Sequence, residues 1–396
     1  MIIDKPKVRG FICTNSQPEG CAANVQEQID FVKAQGAIDG GPKNVLVIGA
    51  STGYGLASRI TAAFGCQAKT LGVFFEKPGN ARKPGSAGFY NSAGFHAKAD
   101  AAGLYAKSIN GDAFSDEIKQ TAINTIKEDL GKVDLVIYSL ASPRRKDPKT
   151  GELHSSVLKP IGESYTAKNL NTDTLKIADM TIESASDDEI ANTVKVMGGE
   201  DWELWIEALA NAGVLADNVK TVAYTYIGDK LTWPIYGKAT IGRAKEDLDR
   251  AATAINTQLK GVNGQANVAV LKALVTQSSS AIPIMPLYIS ILYKVMKEEG
   301  SHEGCIEQLY RLFTEGLYTS TPRLDDTNRF RMDNLELSQA VQDKVEAIWP
   351  TVTEENLFEV TDYKSYNEEF LKLFGFGIDR VDYTNEVETE VDFNLI

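Results

Sequence analysis

The 396-residue chain has few of the residues that build metal centres: four cysteines and three histidines. Cys13, Cys21, Cys66, Cys305, His96, His154 and His302 are scattered, with no Cys-x-x-Cys or His-Glu-x-x-His spacing. A zinc site is therefore not expected. Positive charge is also scarce. Lys and Arg number 41 against 54 Asp and Glu, a formal net charge of −13, which argues against a nucleic-acid partner. An acidic ligand would need a local basic patch. Long apolar runs are missing as well. The most apolar stretch, Ala281 to Tyr293, is interrupted by Pro283 and Pro286 and is too short to span a bilayer. Met1-Ile2-Ile3-Asp4-Lys5-Pro6 lacks the apolar core of a signal peptide. No repeat or low-complexity linker marks a domain boundary. These absences point to a cytoplasmic enzyme with no membrane partner, and 43% apolar residues are ample for its core.

What is present is organised around Val45-Leu46-Val47-Ile48-Gly49-Ala50-Ser51-Thr52-Gly53-Tyr54-Gly55. Four apolar, mostly β-branched residues read as a buried parallel strand. Three glycines follow, and Leu56 to Phe64 reads as a helix stopped by Gly65. Strand, glycine turn and helix form the context of a dinucleotide site. The turn lets backbone approach a pyrophosphate, and the helix N-terminus offers it free N–H groups. The competing reading is a glycine-rich turn of structural use only.

The rest of the chain continues the rhythm. Val25, Ile29 and Val32 predict a helix ended by Gly36. Thr70 to Phe75 predicts a second strand ended by Glu76, whose carboxylate can accept from the adenosine ribose hydroxyl and would repel a 2′-phosphate. This favours NADH over NADPH. Lys77 to Asp100, rich in glycine, reads as a surface loop. Tyr105 to Ile109 predicts a strand with Asp112 past its C-terminal edge, where it can accept from the adenine amino group. Ser115 caps a following helix. Val133 to Ala141 predicts another strand, bringing Leu140 and Ala141 toward the cofactor ribose. From Ser142 to about Ser186 the rhythm stops; this insertion suits a substrate lid. It opens on Arg144-Arg145-Lys146, either solvated surface or a docking patch. Trp202, Trp205, Ile206 and Leu209 share one helical face. Val219 to Ile227 and Val268 to Val275 read as further strands, the second closing on Thr276. The last hundred residues read as helical and acidic.

Chemistry concentrates between Tyr224 and Lys245. A tyrosine paired with a lysine beside a nicotinamide is the acid/base apparatus of short-chain dehydrogenases and reductases, the ammonium easing charge onto the phenol. There the pair is usually four residues apart on one helix face. Here Tyr236 and Lys245 are nine apart, about 2.5 turns at ~3.6 residues per turn, and fall on opposite faces of a continuous helix. Tyr236 must therefore lie in the loop before the helix, swung back toward Lys245. Lys238 is nearer in sequence but shares that loop. Two core aromatics and a surface lysine are the alternative.

The glycine turn, the Tyr236-x8-Lys245 pair, Ser139-Leu140-Ala141-Ser142-Pro143, Val196-Met197-Gly198-Gly199-Glu200-Asp201-Trp202 and His302-Glu303-Gly304-Cys305-Ile306-Glu307-Gln308 together resemble the trans-2-enoyl thioester reductase family. It includes FabV-type enoyl-acyl-carrier-protein reductases and trans-2-enoyl-CoA reductases. The resemblance covers nearly the whole chain. It implies NADH contacts at Gly49, Ala50, Ser51, Thr52, Gly53, Tyr54, Phe75, Glu76, Asp112, Ala113, Leu140, Ala141, Lys245, Leu274, Val275 and Thr276. It also implies a substrate contact at Tyr226 and Tyr236 as the proton donor. The fold expected is α/β: one Rossmann-type, doubly wound parallel sheet over residues 1–396, with a lid insertion at 142–200 and a helical C-terminal extension at 300–396. The reaction expected is NADH-dependent reduction of the C2=C3 bond of an enoyl thioester carried by acyl carrier protein or coenzyme A, by a monomer. Two rivals use the same residues: a carbonyl reductase of the short-chain superfamily, and an NADH-binding regulator without chemistry.

Overall fold

A computed structural model describes residues 1–396. The central sheet has seven strands: β1 (Asn44–Ile48), β2 (Lys69–Phe74), β3 (Ala106–Asn110), β4 (Val133–Tyr138), β5 (Leu215–Thr225), β6 (Gln265–Val270) and β7 (Phe330–Arg331). Their spatial order is β7-β6-β5-β4-β1-β2-β3, and every neighbouring pair is parallel. Val45, Leu46, Val47 and Ile48 are wholly buried because helices cover both faces of a parallel sheet. The chain order reverses direction between β1 and β4, and such sheets take ligands in the crevice at the C-terminal ends of those strands.

One face is covered by α1 (Pro18–Gln35), α2 (Gly53–Ile60, continued by a wider turn to Gly65) and α3 (Ala87–Ala101). The other carries α4 (Asp116–Thr125), α6 (Glu200–Asn211) and α7 (Thr240–Gln258), whose apolar stripes meet over Leu46, Ile48 and Val136. Between them in sequence, α5 (Asp187–Met197) closes the insertion. After the short α8 (Gln277–Ser280), α9 (Met285–Glu298) is apolar almost all round and centres a third core. It is wrapped by α11 (Gln339–Ile348) and α13 (Tyr363–Lys372), while α10 (Cys305–Arg311) packs with α1 and α2 and the short α12 (Leu357–Val360) precedes α13. The insertion holds two antiparallel hairpins, Arg144–Lys146 with Leu153–Ser155 and Tyr165–Leu170 with Ile177–Ile182.

Three sequence expectations change. Residues 77–100 are not a surface loop throughout, because α3 runs through them with Phe89, Tyr90 and Phe95 buried. Its glycines read as helix breakers but serve packing: a Cβ on Gly94 would stand 2.8 Å from the Ala22 Cα of α1. The strand expected to reach Val275 stops at Val270, leaving 271–276 as a loop over the site. Finally, the C-terminal region is not purely helical. It supplies β7, and the tail pairs with the outer edge of β3, where Ser108 N donates to Asn394 O at 3.0 Å and Ile396 N to Ser108 O at 2.8 Å.

Candidate active site

The expected cofactor residues gather at the C-terminal ends of β1, β2, β3, β4 and β6. Gly49 has φ +88°, and a Cβ there would lie 1.9 Å from Ser139 O. Only glycine allows β1 and β4 to approach so closely. A Cβ on Gly55 would meet Gly49 O at 1.9 Å, so this glycine seats α2 against its strand. Gly53, at φ +51°, looks across at the Thr276 methyl, 3.6 Å from an added Cβ. Gly49, Ala50, Ser51, Thr52 and Gly53 therefore form one wall of a cradle, and Leu274, Val275 and Thr276 the other. This cradle fits a dinucleotide pyrophosphate on a helix N-terminus. Thr276 is held by its capping of α8, accepting from Ser279 N at 3.0 Å. Tyr54 turns its hydroxyl away, donating to Lys272 O and packing edge-on against Tyr224; its side chain joins the turn to the 271–276 loop.

Just past the C-terminal end of β2, Glu76 accepts from Ser51 Oγ at 2.7 Å and from Ser86 Oγ. Burial raises its pKa despite both hydroxyls. A Cβ on Gly88 would fall 2.0 Å from Glu76 Oε1, so the first turn of α3 is shaped around this carboxylate. Phe75 beside it is 78% exposed, an apolar face open at the rim of the crevice. Asn110 fixes the Glu76 backbone, accepting from its N at 2.8 Å and donating to its O at 2.9 Å. Asp112 accepts from Phe114 N at 3.0 Å, which aims the turn carrying Ala113. Beneath that turn the buried Lys119 donates to Ala113 O, Phe114 O and Asp201 at 2.8–3.1 Å. Tyr138 also donates to Asp201, at 3.0 Å. This gives the Gly199-Glu200-Asp201-Trp202 segment a supporting role that spacing alone did not reveal. Leu140 and Ala141 emerge from β4 beside Gly49, Ala141 exposed.

The chemical end lies beyond β5. Tyr236 follows the short turn Trp233–Ile235, before α7 begins at Thr240, so it stands in the loop as its spacing requires. Its ring meets that of Tyr226 edge-on at 4.6 Å. The insertion braces this loop: Ile161 N donates to Lys238 O at 2.9 Å and Thr240 N to Lys159 O at 3.0 Å. Burial raises the Tyr236 pKa, and Glu336 adds to this whenever it is ionised, so the phenol keeps its proton. Lys245 sits in the second turn of α7, half-buried, its Nζ 3.4 Å from Tyr224 O. Burial pushes its pKa down to about 8. No carboxylate salt bridge neutralises it, which leaves its ammonium free for a ligand. Lys238 is exposed.

Arg144-Arg145-Lys146 is not a uniform basic patch. Arg145 is only 2% exposed, and its Nη1 donates to Glu200 at 2.8 Å and Lys195 O at 2.6 Å, while Nε and Nη2 are buried without a partner. Arg144 and Lys146 alternate with it on the outer face of a hairpin, as the two-residue period of a strand dictates. Sequence reading also missed Glu336, wholly buried beside Tyr226. A lone glutamate in an acidic C-terminal stretch carries no local signal.

Residues 3–81 match the NAD(P)H-binding domain of trans-2-enoyl-CoA reductase, and residues 83–318 match the catalytic region of that enzyme. Residues 324–387 match a family described as an enoyl reductase FAD-binding domain. This last segment does not fit a flavin. It has no strand–glycine–helix turn, Tyr363, Tyr366 and Phe370 are buried in the core around α9, and none of its buried side-chain polar atoms lacks a partner. An enoyl-[acyl-carrier-protein] reductase [NADH] of Saccharophagus degradans is 82% identical over 100% of both chains. The trans-2-enoyl-CoA reductases of Clostridium acetobutulicum, solved with NADH, and Treponema denticola, solved with NAD, superpose with TM-scores of 0.95 and 0.94. They are 46% and 48% identical, each covering 98% of both chains. The chain belongs to the family of trans-2-enoyl-CoA and NADH-dependent enoyl-acyl-carrier-protein reductases.

Proposed function

We infer that this protein is an NADH-dependent reductase of trans-2-enoyl thioesters that serves fatty-acid synthesis. The observation carrying this is a dinucleotide cradle at the ends of β1 and β4, with two edge-packed tyrosines after the adjacent β5 and an unneutralised lysine on α7 that reaches the β5 carbonyl of Tyr224. Bound NADH supplies the hydride, which adds to C3 of the substrate. The electron pair of the C2=C3 bond then moves toward the thioester oxygen. Tyr236, with Tyr226 beside it, hydrogen-bonds that oxygen most strongly when it is an enolate, which stabilises the transition state more than the ground state. Lys245 adds positive potential at the same place and holds the nicotinamide ribose. Collapse of the enolate takes up a proton at C2.

The site assignments named above are the working proposal for each residue. The carrier is acyl carrier protein or coenzyme A, both of which present a phosphopantetheine arm. Residues 142–200 serve as lid and 300–396 as an extension packed on the core, within a single catalytic unit. We propose a cytoplasmic monomer: one chain provides both cradle and tyrosines, and no helix is long and apolar enough to cross a membrane. The deciding experiment follows NADH oxidation with crotonyl-CoA, an enoyl-acyl-carrier protein and a simple ketone in parallel. Turnover of the thioesters alone is expected. Turnover of the ketone alone would make the protein a carbonyl reductase, and none with any substrate would leave NADH binding without chemistry.

A further inference from the structure

We propose that Glu336 is a positioning residue for the reduction: it decides which way the Tyr226 hydroxyl points. This rests on the reading above that Tyr226 faces the thioester oxygen.

Glu336 is 0% exposed. Its Oε2 accepts from Ala273 N at 2.7 Å, and its Oε1 lies 2.8 Å from Tyr288 Oη and 2.9 Å from Tyr226 Oη. The two tyrosines are not equivalent. Gln342 Nε2 donates to Tyr288 Oη at 3.2 Å, so the Tyr288 hydrogen must go to Glu336. Tyr226 has no such amide donor; besides Glu336 and the neighbouring Tyr288 hydroxyl it meets Thr232 Oγ1 at 3.4 Å, and its hydrogen is free to take either direction. While Glu336 is a carboxylate, Oε1 accepts both hydroxyl hydrogens, and Tyr226 has none left for the substrate. Once Glu336 is protonated, it donates to Tyr226 Oη and still accepts from Tyr288. The Tyr226 hydrogen is then released toward the side where the Tyr236 ring stands.

The groups facing Glu336 set this balance. Lys272 from the loop after β6, the Ala273 N–H, and the hydroxyls of Tyr226 and Tyr288 favour the carboxylate; burial opposes them and prevails, raising the pKa. Tyr236 and Tyr54 lie within range of its charge. Lys272 is itself held by donation to Ala273 O at 3.0 Å and by the Tyr293 ring at 4.9 Å. With both hydroxyls on one carboxylate oxygen, the form that leaves Tyr226 a hydrogen for the substrate is the neutral acid.

The test is the pH profile of kcat with crotonyl-CoA at saturating NADH, in the unaltered protein, Glu336→Gln, Tyr226→Phe and the double variant. The unaltered kcat should fall as pH rises through the Glu336 ionisation. Glu336→Gln, whose amide can donate to Tyr226 at every pH, should abolish that fall and leave the KM for NADH unchanged. In the Tyr226→Phe background, Glu336→Gln should change nothing further. Should Glu336→Gln fail to fold, Tyr288→Phe gives the same information. It removes a donor to the carboxylate and should move the profile to higher pH. A Glu336→Gln or Tyr288→Phe profile identical to the unaltered one overturns the proposal. So does an effect of Glu336→Gln that persists without the Tyr226 hydroxyl, which would mark a purely structural role. If Tyr226→Phe itself leaves kcat unchanged, the placement of Tyr226 at the substrate falls, and the proposal with it.

Discussion

At the scale of single residues, the proposal that Tyr236 and Lys245 act on one developing charge requires substitution to show them coupled. Tyr236→Phe removes a hydrogen-bond donor but keeps the ring that packs on Tyr226. Lys245→Met removes the ammonium but keeps much of the stem. Each should lower kcat by orders of magnitude, and the double variant should be little worse than the poorer single one. Lys238→Met should be mild, because that side chain is in solvent. The pH dependence follows from the Lys245 value of about 8. A lysine lowered by burial carries its charge below that pH and loses it above. The kcat/KM for NADH should therefore decline as pH rises through about 8, and this decline should vanish in Lys245→Met. Lys272 is also pushed down to about 8, so a decline that survives in Lys245→Met would point to Lys272 instead. Double variants whose losses simply multiply would separate Tyr236 from Lys245.

At the scale of elements, we propose that cofactor choice is a property of β2 and α3 together. β2 delivers Glu76 to the crevice. The N-terminal turn of α3 then holds its carboxylate through Ser86 and makes room for it at Gly88. A carboxylate fixed in this way accepts from a ribose hydroxyl and repels a ribose phosphate. The unaltered protein should prefer NADH strongly, and Glu76→Ala should relax that preference, as the ratio of kcat/KM for NADH and NADPH will show. Equal values for the two cofactors in the unaltered protein would refute it. Glu76 was legible because it ends a strand that follows the glycine turn. Its support from α3 was not, since Gly88 and Gly94 have the composition of a loop and become helical only where a neighbouring element needs space.

At the scale of the whole molecule, a net charge of −13 works against the approach of an acidic carrier protein. Attraction must then come from local positive charge. Arg145 is consumed inside, but Arg144 and Lys146 stand outward on the insertion hairpin. Neutralising these two should raise the KM for an enoyl-acyl-carrier protein and flatten its salt dependence, leaving the KM for crotonyl-CoA unaffected. An unchanged KM for the carrier protein would return both residues to ordinary solvated surface. Arg145 should be left in place in that experiment, because it is buried and ties the hairpin to Lys195 O and Glu200, so its removal would loosen the hairpin rather than report on docking.

The amino-acid sequence by itself determined the β1–glycine turn–α2 unit, the run of buried strands and the loop position of Tyr236. Each of these depends on contacts within a short span: β-branched runs bury, glycines turn, and nine residues cannot share a helix face. Tertiary structure alone decided that Phe330–Arg331 completes the sheet, that the tail closes the β3 edge, that Arg145 is internal while its neighbours are not, and that Glu336 meets Tyr226. Those outcomes join residues far apart in the chain, as Tyr226 and Glu336 are. A buried carboxylate is stable only where folding has assembled donors around it, and its partners leave no mark on the sequence nearby.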